Sequence, residues 1–330
     1  MNMSDSDGST MAESWEYTRG YAGVFGRPPA PFVAAVRCLL TQHAEGASEA
    51  SGSTRYQILR LLKSPSLFSP LYFAASAFTA TTISSSRRTS ESDLLKAFLP
   101  DEAASLLALV YLWRRASSIC DGEELRFIED TLVDPMNLGF LVGRAIPSIG
   151  AGLSVLQAAI PILGLTAFLS HDPQGFKEYR RLVRRQGGGW DCSLEIKRWG
   201  CTRIQVGAVL VQSLGFGTKR SNAIANVLGG QAESGQEEED GNLEKDVQMA
   251  ALWCQCLSTT GKAPEIALAA KYYPTHAALQ DTLSTFSMLR QDRGQSCWIQ
   301  KRKEDLPPHQ LGQTAPHENT TEDTDEFENL

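Results

Sequence analysis

The chain has no cysteine pair spaced Cys-x-x-Cys, only five histidines, no charged side chain between Ala145 and Leu169, and no convincing alternation of apolar and polar residues through its middle. Each lack excludes something. Without Cys-x-x-Cys the common zinc and redox frameworks are missing. Cys254 and Cys256 stand two apart, which on a helix turns them about 160° from each other and prevents a shared metal. Seven scattered cysteines, an odd number, read as reduced thiols in a cytoplasmic protein. The scarcity of alternating strands makes the expected fold class all-α.

What is present begins with the uncharged run itself. Ala145 to Leu169 is 25 residues long and includes Pro147, Pro161, Gly150, Gly152 and Gly164. About twenty apolar residues suffice to cross a bilayer core, so length alone permits a span. Composition argues otherwise: Ser148, Ser154, Gln157 and Thr166 interrupt the run, and its prolines and glycines divide it into short pieces. No second run of this length exists, and Met1 to Ser14 is polar and acidic, unlike a signal peptide. The expectation is two short, fully buried helices at the centre of a soluble core.

Charge is distributed unevenly. Residues 1–30, 231–246 and 301–330 together carry −13 against −7 for the whole chain, which leaves +6 on the remainder. By composition, Met1–Ser14 and Lys301–Leu330 read as disordered, Gln231–Asp246 as an acidic loop, and Thr79–Asp93 as a polar connector. Between them helical spacing recurs at Pro31–Gln42, Tyr56–Leu62, Ser66–Phe78, Asp93–Leu99, Pro100–Ala116 and Leu125–Leu141. Further helices are predicted at Cys192–Trp199, Arg203–Leu214, Lys219–Leu228, Leu243–Ser258, Pro264–Tyr272 and Thr275–Arg290. Gln174–Arg185 is sharply amphipathic. Phe176, Tyr179, Leu182 and Val183 share one face, Lys177, Arg180, Arg181, Arg184 and Arg185 the other, and Gly187–Gly189 ends it.

The segment Trp199-Gly200-Cys201-Thr202-Arg203-Ile204-Gln205-Val206-Gly207-Ala208, followed by Leu210, Leu214-Gly215-Phe216 and Ala223-Ile224, resembles the HDOD domain, the HD-related output domain of bacterial signalling proteins. Leu71 to Phe78 is similar to that family's Leu-Ala-Asn-Ser-Ala helix, with Ala75 in place of Asn, and Lys63-Ser64-Pro65-Ser66-Leu67 precedes it in register. Ala158 to Gly164 resembles the family's Gly-Leu-Leu-His-Asp-Ile-Gly, and Met249–Cys256 fits a later helix. The resemblance spans roughly Pro28 to Leu289. It implies a multi-helix HDOD/HD-like bundle with an N-terminal helical subdomain. The implied organisation is a weakly ordered segment 1–27, an N-terminal helical part 28–125, a degenerate HD-like part 126–300 and an acidic tail 301–330.

The same register carries a loss of chemistry. The superfamily's metal-binding His falls at Pro161 and its Asp at Ile162; an early His falls near Pro135, a later one at Arg203, and a His-His pair at about Val227 and Leu228. None of these side chains can ligate a cation. The resemblance therefore implies no metal, no cofactor and no catalysis, and a role in bacterial signal transduction through protein binding, with Lys177, Arg180, Arg181, Arg184 and Arg185 as a candidate partner face. No aromatic interleaving points to nucleic acid, and Gly187–Gly189 lacks the Lys-Ser/Thr of a phosphate loop. Two other readings stand beside this one: a divergent HD phosphohydrolase using His171, Asp172 and Asp191, and a membrane-attached regulator. His171-Asp172 precedes Pro173, where an Asp commonly caps the next helix. His43 and His276 read as surface or satisfied core residues.

Overall fold

The uncharged run folds as one helix. In the computed structural model, which describes residues 5–79, 88–187, 189–227, 241–265 and 267–311, Ala151–His171 is continuous through Pro161 and Gly164. The expected division into two short helices is thus corrected. Proline inside a helix costs about 3 kcal/mol through one lost hydrogen bond and a ring clash. Burial of apolar side chains all around the helix outweighs that locally, since each large side chain removed from water contributes about 1.5–3 kcal/mol.

In chain order the helices are α1 (Asp5–Ala22), α2 (Ala30–Ala44), α3 (Gly52–Leu62), α4 (Pro65–Phe78), α5 (Glu91–Lys96), α6 (Pro100–Ile119), α7 (Gly122–Ala145), α8 (Ala151–His171), α9 (Pro173–Arg185), α10 (Cys192–Trp199), α11 (Arg203–Val211), α12 (Gly217–Val227), α13 (Gly241–Thr260) and α14 (His276–Gln291). Short helical turns follow to Leu311, and no strand occurs among the described residues. The fold class is all-α, as read from the sequence.

The chain divides into two compact units, residues 1–28 with 115–273 and residues 29–114 with 274–330. Each is assembled from two chain segments, unlike the linear division at 28–125 and 126–300. In the first unit α8 is the axis, packed by α7, α11, α13, α9 and α1. Small residues let the backbones close up: a Cβ at Gly143 would lie 2.4 Å from the Cα of Ala151, and one at Gly164 2.3 Å from the carbonyl oxygen of Arg203. With 94% of its most apolar stretch buried, α8 is a core helix.

The opening segment also departs from expectation. Residues 1–27, read as weakly ordered, contain α1, which is pinned by Trp15 and Thr18, 4% and 0% exposed. Trp15 packs with Ala208 and Ala225, and the Gln205 amide donates to the Ser14 hydroxyl at 3.1 Å. Composition underrated the segment because one tryptophan and one buried hydroxyl suffice to dock it.

In the second unit, Phe32 and Tyr111 pack with ring centroids 5.0 Å apart, and Arg114 donates to the Lys301 carbonyl at 2.9 Å. Residues 301–311 of the expected disordered tail are ordered, with Leu306 and Gln310 buried; residues 312–330 lie outside the described residues. So do residues 80–87 of the polar connector and 231–240 of the acidic loop, whose last residues instead open α13 at Gly241. The helix expected at Pro264–Tyr272 shrinks to a single turn at Ala270–Tyr272. There Trp253 donates its indole N–H to the Tyr272 carbonyl at 2.9 Å and the Tyr272 hydroxyl donates to Asp246 at 2.8 Å, side-chain anchors that replace helical backbone bonding.

Candidate functional site

Three of the positions singled out by the HDOD resemblance, Pro161, Ile162 and Arg203, lie on two adjoining helices. Pro161 and Ile162 are buried in α8, and Gly164, one turn on from Pro161, lies against the carbonyl of Arg203 at the start of α11. Thr202 opens α11 with a reciprocal cap: its hydroxyl accepts from the Gln205 amide, and the Gln205 side chain accepts from the Thr202 amide. Pro135 lies within α7 and Val227 ends α12; Leu228 lies outside the described residues. Downstream, Gly215 has a φ of 100°, a left-handed conformation that favours glycine and explains that residue in the Leu214-Gly215-Phe216 motif.

Arg203 turns its side chain into a closed polar cluster. Its Nη1 donates to Glu195 Oε1 at 2.6 Å and its backbone amide to Glu195 Oε2 at 2.8 Å. Tyr179 donates its hydroxyl to the same Oε1 at 2.5 Å and accepts from the Asp191 amide at 3.3 Å. The Glu195 side chain is fully buried, and all its donors come from protein groups on α9 and α11. Burial opposes the charge on Arg203, but the Glu195 carboxylate outweighs it and raises the guanidinium pKa. Burial, reinforced by the Glu195 charge, pushes the Tyr179 phenol far above its usual range. Trp190 and Trp199 enclose the group, with ring centroids 6.1 and 5.2 Å from that of Tyr179. Such a carboxylate has its lone pairs engaged, so the arrangement clamps α9, α10 and α11 together. Neither Tyr179 nor Glu195 stood out in the sequence as a polar partner; the only signal was an acid placed among the apolar positions of α10.

The alternative donor set separates. Asp172 caps α9, accepting from the Gly175 amide at 2.8 Å, and receives Arg198 Nε and Trp199 Nε1 at 3.3 Å each. Burial works to raise its pKa, but these hydrogen bonds and Arg198 prevail and lower it. Asp191 caps α10 through the amides of Ser193 and Leu194 at 2.8 and 3.1 Å. His171 lies edge-on to Tyr21, centroids 4.9 Å apart, beside a hollow of about 620 Å³ lined also by Glu16 and Tyr17. Among the described residues no three His, Cys, Asp or Glu side chains converge as a metal site. His43 Nδ1 lies 3.2 Å from the buried carboxylate of Asp101, and His276 is exposed. All seven cysteines are free.

The basic face of α9 is smaller than its sequence suggests. Lys177, Arg181, Arg184 and Arg185 are exposed. Arg180 is withdrawn, its side chain 11% exposed, paired with Glu124 at 2.8 Å and Glu123 at 3.6 Å, and stacked over the Phe127 ring at 3.9 Å. Its assignment to the partner face is therefore corrected, because the neighbouring helix α7 supplies both carboxylates and the aromatic ring. Leu182, expected on the buried side, is 41% exposed and joins the open face.

Comparison with protein-family models, with curated proteins and with solved structures gives no match for this chain.

Proposed function

We propose that this chain is a non-catalytic regulatory module of the HDOD type that acts in the bacterial cytoplasm by binding another protein. The observation that carries the reading is the occupancy of the three mapped positions: Pro161 and Ile162 lie in the buried helix α8, and Arg203 is tied to Glu195. Where the resembled superfamily arranges donors around an open coordination position, this chain has packing and a buried ion pair. Seven free cysteines support the reducing compartment.

The contact surface is assigned to Lys177, Arg181, Leu182, Arg184 and Arg185. Four exposed cations around one exposed leucine suit an acidic partner carrying an apolar side chain, with charge speeding the encounter and the leucine contributing to burial. The absence of interleaved aromatic rings disfavours nucleic acid.

Two measurements test this. Elemental analysis of the purified protein should find no stoichiometric Mn, Fe, Ni or Zn; finding one together with phosphodiester hydrolysis would overturn the reading in favour of a phosphohydrolase. Affinity capture from the native host should recover a partner that is lost from the double variant Arg181→Glu, Arg184→Glu. A partner retained undiminished by that variant removes the assigned face.

A further inference from the structure

The hollow beside His171 lies within the first compact unit and takes no part in the α9 face or in the HDOD reading. Its volume of about 620 Å³ is within the range of small-ligand pockets, and Glu16, Tyr17, Gly20, Tyr21 and His171 line it. Positions 16, 17, 20 and 21 share one side of α1, because residues four apart are neighbours on a helix. The end of α8 sets His171 beside them.

Three ring-bearing side chains form the walls. Tyr21 and His171 stand nearly at right angles, centroids 4.9 Å apart and planes at 83°. Tyr21 is braced edge-on by Phe168 at 5.1 Å, and Phe168 stacks on Trp199 at 4.3 Å. The Tyr17 ring lies against Gly200, so close that a Cβ there would come within 2.7 Å of it. Rings held in place in this way lower the ordering cost of binding. Gly20 leaves the space between them open. A Cβ at Gly20 meets nothing within 4 Å, and neither a positive φ nor close packing calls for glycine, a residue disfavoured within helices. The charge is of one sign. Among the lining residues Glu16 brings an exposed carboxylate, no lysine or arginine is present, and only His171 can take a positive charge. Arg198, which reaches Asp172 at 3.3 Å, is also held by Glu178 at 2.9 Å. Arg19 is turned about 130° around α1 from the middle of the lining side.

We infer that this hollow binds a quaternary ammonium head group of the choline type, seated among the Tyr17, Tyr21 and His171 rings with the Glu16 carboxylate as its counter-charge. Aromatic rings attract a cation through their quadrupole, and a methylated ammonium presents apolar surface that the rings can cover. A primary ammonium needs several hydrogen-bond acceptors in exchange for its water, and the lining offers one carboxylate. An anion meets that carboxylate unfavourably, and an uncharged ligand leaves it unmatched. Free solutes and phosphocholine lipids carry the same head group. The site is independent of the α9 face and of the HDOD reading.

The test follows the methyl protons of choline by NMR as the full chain is added. The expected result is a saturable upfield shift, the mark of protons held over aromatic faces. The uncharged isostere 3,3-dimethylbutan-1-ol should bind about tenfold more weakly or worse. Gly20→Leu, which fills the hollow, and Tyr17→Ala should each weaken choline by at least about fivefold with circular dichroism unchanged, whereas Tyr17→Phe keeps the ring and should stay within about twofold. Should a variant misfold, the comparison of choline with its isostere on the wild type still decides the matter. Absence of a saturable shift, equal binding of the isostere, or undiminished choline binding by folded Gly20→Leu overturns the inference. Sedimentation with phosphatidylcholine vesicles that choline reverses assigns the head group to a lipid. Choline binding without sedimentation assigns it to a free solute, and both outcomes support the quaternary ammonium site.

Discussion

The Arg203 guanidinium lies 2.6 Å from the carboxylate of Glu195, whose side chain is shielded entirely from solvent. The cost of desolvating both ions is offset by their attraction and by the Tyr179 hydroxyl and the Arg203 amide, which complete the carboxylate's hydrogen bonding. Replacing one partner should be far worse than replacing both. Arg203→Met should destabilise the protein by about 3–5 kcal/mol in urea unfolding, with a loss of similar size for Glu195→Leu, because each leaves a buried charge unpaired. The double variant should lose much less than the two together. Additive losses would show that the pair is not coupled.

Close helix approach gives a second contrast. Gly164→Ala places a methyl group 2.3 Å from the Arg203 carbonyl oxygen, whereas Gly20→Ala on α1 meets nothing within 4 Å. The first should destabilise by about 1–3 kcal/mol through overpacking; the second should gain up to about 1 kcal/mol of helix propensity. Thermal melts of the two variants should move in opposite directions.

Thiol reactivity should follow burial. Burial pushes the Cys120 thiol up to about 11 and the Cys201 thiol up to about 12. Both should resist iodoacetamide at pH 8.5 in the native protein and react in urea. The unfolded chain ionises its thiols from about pH 9, so their contribution to stability is complete below that pH. It declines as pH rises through 11 and 12. Mass-spectrometric labelling and alkaline melts read the two effects.

Asp172 tests the acid side. Its folded pKa lies below 3.8, the ordinary value for an aspartate, so the stability it contributes is present above that value and is lost as pH falls through the lower, folded one. Asp172→Ala should cost about 1 kcal/mol through the lost cap of α9. Asp172→Asn keeps capping capacity and should flatten the acid limb of the stability profile below pH 4. An unchanged acid limb would remove Asp172 from that titration.

Arg180 and Arg181 separate structure from surface. Arg180→Ala breaks a pair in which both side chains are nearly buried, Arg180 at 11% and Glu124 at 12% exposure, and strips the cation from the Phe127 ring. Melting should fall clearly for this variant. Arg181→Ala, at an exposed position, should leave stability within about 0.5 kcal/mol while weakening the proposed partner contact.

Much of this fold is legible in the chain because helix formation is local. The three-and-four spacing of Phe176, Tyr179 and Val183 marks the buried side of α9, and Asp172 before Pro173 announces its cap, as the structure bears out. The all-helical class follows from the same periodicity. What the sequence could not reveal depends on groups far apart in the chain. Whether Pro161 breaks α8 was decided by the helices packed around it, since burial on every side outweighs one lost hydrogen bond. Arg180, spaced like its basic neighbours, left the open face because α7 brings Glu123, Glu124 and Phe127 beside it. Periodicity determines which residues a helix can bury; only tertiary packing decides which charges find partners, because that depends on distances the linear chain does not contain.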